Sequence, residues 1–141
     1  MTTNMDAAAS PGSLKIVLER DVRAPAIARS AVSEQLAATG IDGSIGQTIV
    51  LLVSEVVSNA VRHSSAAAET SIELEAQITE QAVRIAVTDA GEGFTPRPRD
   101  PERVGEGYGL YLVAKAATSW GVESDRGTTV WFELARRPQD D

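Results

Sequence analysis

Hydrophobic and polar residues repeat along the chain with two different periods, and these periods predict its secondary structure. Alternation of apolar and polar residues is typical of strands. Apolar residues three or four positions apart are typical of helices, as in residues 24–38 and about 44–63. The predicted order is β-α-α-β-β-α-β-β, over residues 14–20, 24–38, 44–63, 70–78, 81–88, about 107–118, 119–123 and 128–134.

This order of elements favours an α+β fold. Consecutive strands that form hairpins, with helices grouped separately, indicate a two-layer sandwich of one mainly antiparallel mixed sheet with helices on one face. Residues 14–135 are expected to form one domain, since 141 residues suffice for a substantial core. Residues 1–13 are small and polar and are predicted to be disordered, and residues 136–141 form a polar tail.

Composition narrows the range of functions. The net charge is −7, which disfavours direct binding to nucleic acid. The chain has no cysteine and one histidine, which excludes disulfides, thiolate nucleophiles, Cys-ligated zinc and multi-histidine metal sites. No uninterrupted apolar run reaches the roughly 18 residues of a membrane span, and the N-terminus lacks a signal pattern. We therefore expect a cytoplasmic protein with no membrane partner.

Glu55 and Asn59 are polar residues within the largely apolar helix of residues 44–63. Their spacing of four places both side chains on one helix face, one turn apart. A helical projection puts them at the edge of the apolar face, beside Leu51 and Leu52. A carboxylate and a carboxamide at such a boundary are costly unless they bind something. A metal ion with its water is one candidate, so the pair indicates a site.

Two glycine-rich segments lie further along the chain. Asp89-Ala-Gly-Glu-Gly93 follows an apolar strand; its aspartate can accept a hydrogen bond from an exocyclic amine, and its glycines allow close approach to a flat ligand. Gly105-Glu-Gly-Tyr-Gly109 precedes the third helix, whose first N–H groups favour phosphate. It lacks the Gly-Lys-Ser/Thr ending of a P-loop and the βαβ unit of a dinucleotide site. By itself the first segment fits an ordinary turn equally well, and the second is weak evidence for a site, since a flexible linker also explains it.

Other polar and aromatic residues have simpler interpretations. Gly127-Thr-Thr129 enters the last strand, as structural hairpins often do. His63 is favoured as a structural residue at a helix end, although it lies two turns from Glu55. Trp120 and Trp131 are expected to pack on the sheet and not to stack on a ligand.

The blocks taken together resemble the GHKL (Bergerat) ATP-binding fold of gyrase, heat-shock chaperones and histidine kinases. Within it, the chain is similar to the small bacterial anti-sigma factors that are also serine-protein kinases. Ser54-Glu-Val-Val-Ser-Asn-Ala-Val-Arg-His63 resembles the first block of that family. Gly107-Tyr-Gly-Leu-Tyr-Leu-Val113 and Gly127-Thr-Thr-Val-Trp-Phe-Glu-Leu134 resemble later blocks. The resemblance covers roughly residues 14–135, and the combination is specific whereas the single blocks are not.

The resemblance implies a site for ATP and Mg²⁺. Asn59 would hold Mg²⁺ through its side-chain oxygen, a hard ligand of the kind this ion prefers. Glu55 would be the general base that orients a substrate serine hydroxyl or a water. Asp89 would read the adenine amino group, with Thr129 behind the base. The glycines would line the pocket: Gly91 and Gly93 at the adenine, Gly107 and Gly109 at the phosphates.

The implied activity is phosphorylation of an anti-sigma antagonist protein on serine, together with binding of a sigma factor. Relatives of this kind often form homodimers, so a homodimer is among the expected states. The sequence departs from the pattern at Gly105, where kinases of the family can carry an arginine before the lid glycines; the nearest arginine is Arg103. This departure bears on phosphotransfer rate and sigma-factor affinity more than on ATP binding.

Three other functions stay open at this point. The same fold could use ATP only to gate partner binding, without phosphotransfer. The chain could be the catalytic module of a histidine kinase, although 141 residues leave little room for a separate dimerisation helix pair and His63 is badly placed as a phosphoacceptor. It could also be a structural α+β domain whose glycines have no ligand.

Overall fold

The computed structural model describes residues 7–10, 12–41, 43–63, 71–89, 108–124 and 127–136. The elements in these ranges follow the predicted order, with one further strand at the N-terminal end. They are β1 (Ala7–Ser10), β2 (Ser13–Glu19), α1 (Ala24–Ala38), α2 (Gly43–His63), β3 (Ser71–Ile78), β4 (Ala82–Asp89), α3 (Tyr108–Ala116), β5 (Ser119–Glu123) and β6 (Thr128–Ala135).

The described strands form one sheet in the order β1-β2-β3-β4-β6-β5. Every neighbouring pair in it is antiparallel, which is more uniform than the mixed sheet that the sequence predicts. Burial alternates along β2, β3, β4 and β6, because successive side chains point to opposite faces. The buried face packs against α1, α2 and α3. The predicted α+β sandwich is therefore confirmed.

The core lies between this sheet face and the helices and is mostly aliphatic. Helix α1 contributes every fourth residue, which gives it one narrow buried face. The buried apolar residues of this face are Ala24, Ala28, Val32 and Leu36. Phe132, on β6, is the largest fully buried side chain among the described residues.

Helix α2 is the central helix of the layer and the longest element that the structure describes. Gly43–Arg62 is long and apolar enough by composition to cross a membrane, with a mean hydropathy of 1.4 over its best window. Ile49, Val53 and Val57 of this helix are fully buried in the core. A helix covered by other elements is apolar over most of its surface. Burial inside the domain covers 44% of that window and accounts for that part of its hydropathy. A search for unbroken apolar runs misses the helix, because polar residues interrupt it.

Strand β1 lies within the N-terminal segment that the sequence predicts to be disordered, and it corrects that prediction for residues 7–10. Residues 7–10 pair antiparallel with β2, from Ala7 opposite Ile16 to Ser10 opposite Ser13. The hairpin passes through Gly12, whose φ is +84°. A Cβ at this position would lie 2.8 Å from the Ile78 carbonyl oxygen, so glycine is required both by conformation and by space. The small side chains of β1 give no hydrophobic alternation, which is why the sequence does not reveal this strand.

Trp131 packs on the outer face of the sheet, as its position in an alternating strand suggests. Its ring lies across Gly121 of the neighbouring strand, where a Cβ would be 2.8 Å from the indole Nε1. The guanidinium carbon of Arg84 lies 4.3 Å from the ring centroid, within cation–π range. Both neighbours therefore hold the indole against the strands. Trp120 lies on the edge strand β5 and is 38% exposed.

Candidate functional site

Helix α2 presents Glu55 and Asn59 one turn apart, as the spacing predicts. Asn59 is buried, with 5% exposure, and Glu55 is half-buried. Nη2 of Arg62 donates a hydrogen bond to Oδ1 of Asn59 across 3.2 Å. The side-chain oxygen predicted to hold a metal ion thus belongs to a buried residue and accepts a hydrogen bond from the exposed Arg62 guanidinium.

Asp89 ends strand β4 and is 1% exposed. Arg20, the first residue after β2, forms a buried ion pair with it, and the shortest contact is 2.5 Å between Nη2 and Oδ1. Nη1 of Arg20 lies 3.4 Å from Oδ2 of Asp89, and the same nitrogen donates a hydrogen bond to the Ala60 carbonyl oxygen at 2.9 Å. The guanidinium therefore joins the end of β4 to the last turn of α2, next to Asn59.

Strand alternation explains why these polar groups point inwards together. Arg20 has the same parity as Leu14, Ile16 and Leu18, all of which are buried. Asp89 likewise continues the buried series of β4, and Thr128 that of β6. Three polar side chains thus lie on the helix-facing side of the sheet at the ends of β2, β4 and β6, of which β4 and β6 are adjacent. They carry a cation, a carboxylate and a hydroxyl.

Thr128, and not Thr129, lies on the face of Asp89. The two residues are opposite each other in the β4–β6 register, and Thr128 is 3% exposed. Thr129 lies on the outer face, where its hydroxyl is 2.8 Å from that of Thr88. The sequence prediction that Thr129 backs a base beside Asp89 is therefore at odds with the register, because adjacent residues of a strand point to opposite faces.

The glycine predictions fall largely outside the described residues. Gly91, Gly93, Gly105 and Gly107 all lie in the stretch between β4 and α3, and so does Arg103. Gly109 is the second residue of α3. Leu110 and Val113 of that helix are buried in the core, so its N-terminal end is anchored on the same side of the sheet as α2.

Arg20 and Thr128 are the two site residues that the sequence predictions above do not include. Both could be found by extending each strand's alternation by one inward position, forwards past Leu18 in β2 and backwards before Val130 in β6. A charged or hydroxyl-bearing residue at an inward position indicates a buried polar partner, since burial without one is unfavourable. Arg20 meets this criterion two residues after Leu18.

The described residues contain no group of three or more His, Cys, Asp or Glu side chains placed to hold a metal ion. A cation at Asn59 would then depend on one carboxamide oxygen, water and the oxygens of a bound ligand. This donor set suits Mg²⁺, which keeps several waters and is often held by few protein groups together with phosphates. The residues present therefore fit a metal that arrives with a phosphorylated ligand.

Comparison with known families assigns the fold to a family. The profile of the family described as histidine kinase-like ATPase domain matches residues 18–134, a span that includes both Asn59 and Thr128. The chain belongs to the histidine kinase-like ATPase family. Among the described ranges, all elements from β3 to β5 lie inside the match, together with both long helices. This family match, together with the structural match described next, confirms that the chain resembles GHKL ATPases of the anti-sigma factor and serine-kinase type.

Solved structures support the assignment. The RsbU and RsbW domains of Rv1364c from Mycobacterium tuberculosis match 92% of this chain, with 26% identity and a TM-score of 0.69. This ATPase-family chain spans only about a third of that protein, 34% of its length. The histidine kinase domain of the blue-light activated kinase EL346 from Erythrobacter litoralis matches 91% of this chain and 70% of its own, at 23% identity and a TM-score of 0.51, and shares the fold. No curated protein matches the chain significantly.

Proposed function

We propose that this protein is a Mg²⁺- and ATP-dependent protein-serine kinase that also binds a sigma factor. The observation that carries the proposal is the arrangement on α2: buried Asn59 lies one turn from half-buried Glu55, inside a span that matches an ATPase family. Phosphoryl transfer asks mainly for positioning and charge neutralisation. A metal-holding carboxamide and a neighbouring carboxylate provide a minimal set of groups for both.

Asn59 is the proposed Mg²⁺ ligand, and Arg62 bears directly on it. Two cations repel each other, so Arg62 would leave Oδ1 of Asn59 when the ion binds with ATP. Arg62 is exposed and attached by a long side chain, so this costs little. The displaced guanidinium then stays close to the phosphate-binding end, where its five donors suit phosphate oxygens.

Glu55 is the proposed general base of the transfer reaction. Asp89 and Thr128 are proposed to bind the adenine, at the other end of the nucleotide site. Glu55 would orient a serine hydroxyl of the substrate protein for attack on the γ-phosphate. Asp89 would accept from the adenine amino group, with the Thr128 hydroxyl beside it. The glycines Gly91, Gly93, Gly107 and Gly109 complete the proposed pocket as expected from the sequence.

The proposed protein partners are a sigma factor and an anti-sigma antagonist that carries the target serine. Support comes from the family resemblance and from the structural match to a protein with an RsbW domain. The principal alternative is a module of the same fold that uses ATP to gate partner binding and transfers no phosphate. Glu55 distinguishes the two, because gating has no need of a base.

The first test measures ATP binding by isothermal titration calorimetry with and without Mg²⁺. The Asn59→Ala protein should lose the Mg²⁺-dependent part of the affinity, whereas Ser58→Ala, its neighbour on the helix, should not. Equal affinity in the Asn59→Ala protein and the parent would contradict the metal-ligand role. Absence of ATP binding in the parent would contradict the proposed function as a whole.

The second test follows transfer of radiolabelled γ-phosphate to candidate antagonist proteins. Glu55→Gln should bind ATP as the parent does but lose transfer by about 10²–10⁴-fold, the range typical of a general base. Glu34→Gln is the matched control on α1. Sigma-factor binding by a parent protein that phosphorylates no antagonist would favour the gating module, and acid-labile phosphohistidine would favour a histidine kinase.

A further inference from the structure

Arg20 occupies a position between the two ends of the proposed nucleotide site. Its guanidinium contacts Asp89 through two nitrogens and the Ala60 carbonyl oxygen through one of them. Asp89 belongs to the proposed base end, and Ala60 follows the proposed metal ligand Asn59. The side chains of Arg20 and Asp89 are only 6% and 2% exposed. One buried cation thus ties both ends of the site together.

The contact with Ala60 also stabilises the end of α2. Helix α2 ends at His63, so the Ala60 carbonyl is one of the last four, which lack N–H donors within the helix. A cation at this end also interacts favourably with the helix dipole. Arg20 therefore fixes the last turn of α2, which directly follows Asn59, against the strand that carries Asp89.

The paired geometry restricts how the Asp89 carboxylate can turn. A guanidinium fork that contacts both oxygens holds the carboxylate plane in one orientation. This orientation determines where a ligand donor must lie to be accepted by Asp89. A fixed acceptor favours a base with an N–H at that point and opposes a base with a carbonyl oxygen there, because two acceptors would face each other.

We propose that Arg20 is a positioning residue that sets the base specificity of the nucleotide site by holding Asp89 as a fixed acceptor for the 6-amino group of a purine. This inference rests on the proposed function, because it requires that the site binds ATP. Arg20 acts through Asp89 and contacts no nucleotide itself. Its loss should therefore weaken discrimination at position 6 of the purine and not only overall affinity.

The test compares dissociation constants for ATP, for GTP and for purine riboside triphosphate, which lacks the 6-amino group. The proteins are the parent, Arg20→Lys, Arg20→Met and the control Arg23→Met, whose ion pair with Asp21 lies on the surface. Lysine keeps the charge but lacks the planar fork. We expect both Arg20 variants to lose about tenfold or more in the ratio of ATP to analogue affinity. Arg23→Met should keep the parent's ratio.

A merely structural role would give a different result. If Arg20 only stabilised the fold, ATP and the analogue would lose affinity equally and the ratio would stay constant; this outcome in a folded Arg20→Lys protein overturns the inference and leaves the proposed function intact. A parent that binds no ATP overturns the proposed function itself.

Asp89→Asn provides a second measurement should Arg20→Met fail to fold. The Asn variant should lower the same ratio, and adding Arg20→Lys to it should lower the ratio no further. Additive losses in the double variant would show that Arg20 does not act through Asp89.

Discussion

Replacing Arg20 by methionine should destabilise the folded protein by about 3–5 kcal/mol, because it removes the guanidinium from a buried carboxylate. The magnitude follows from burial: the two side chains of the pair are 6% and 2% exposed. Surface ion pairs contribute far less, since water screens them. The Ala60 carbonyl loses a 2.9 Å hydrogen bond in the same substitution.

A double-mutant cycle with Asp89→Asn isolates the pair from other effects. The Asp89→Asn protein keeps the size of the side chain but leaves the Arg20 cation without its carboxylate, so a similar loss is expected. The protein with both substitutions has no buried charge at this point and should be no less stable than either single variant. The coupling free energy should then be at least about 3 kcal/mol.

Urea unfolding without nucleotide, followed by tryptophan fluorescence, measures these differences. With a slope of about 2 kcal/mol/M, a loss of about 3–5 kcal/mol lowers the midpoint by about 1.5–2.5 M. Far-UV circular dichroism checks that both probes report one transition. The exposed Arg23–Asp21 pair supplies the control cycle, for which we expect no resolvable coupling.

Additivity would refute this account of the pair. If the free-energy losses of Arg20→Met and Asp89→Asn simply add in the double variant, the two side chains do not stabilise each other in solution. A coupling as small as that of the surface control would have the same meaning. Either result would also remove the structural basis for a fixed carboxylate.

Three further predictions concern the sheet. Thr128→Val should weaken ATP binding by about threefold to tenfold through the loss of one hydroxyl, and Thr129→Val should not, as measured by calorimetry; the reverse order would contradict the register. Gly121→Ala should lower the free energy of unfolding by about 1–2 kcal/mol and change the fluorescence of Trp131, because the new Cβ would lie 2.8 Å from the indole nitrogen. A more stable variant would show that the indole ring moves away freely. Phe132→Ala should lower the free energy of unfolding, measured in urea, by about 3–5 kcal/mol, since this side chain is fully buried. A loss below about 1 kcal/mol would mean that the core closes over the cavity.

Most of the secondary structure could be predicted from the sequence. Helix α1 begins and ends at the predicted residues, and most strand ends differ by only one residue. Alternation and helical spacing are local signals, and here the tertiary contacts agree with them. Strand β1 is the exception, because it is held by backbone pairing with β2 and carries no pattern of its own.

The candidate site could be predicted only in part. The pairing of Glu55 with Asn59 follows from helical spacing, and the structure places both as expected. The resemblance implies Thr129, whereas the register places Thr128 opposite Asp89, because a motif gives order along the chain but not the face of the strand. The roles of Gly91, Gly93 and Gly107 stay predictions, since these residues lie outside the described ranges.

The sequence by itself determined the elements, their inward faces and the order of blocks that indicates an ATPase. It could also have shown that Arg20, Asp89 and Thr128 point inwards, since parity along a strand is a local property. Only the tertiary structure decided that Arg20 contacts Asp89, 69 positions away, and the Ala60 carbonyl, 40 positions away. These contacts depend on which strands are neighbours and where α2 ends above them, and no local pattern encodes that arrangement. The polar residues of the site are local features, whereas their connection is a property of the fold.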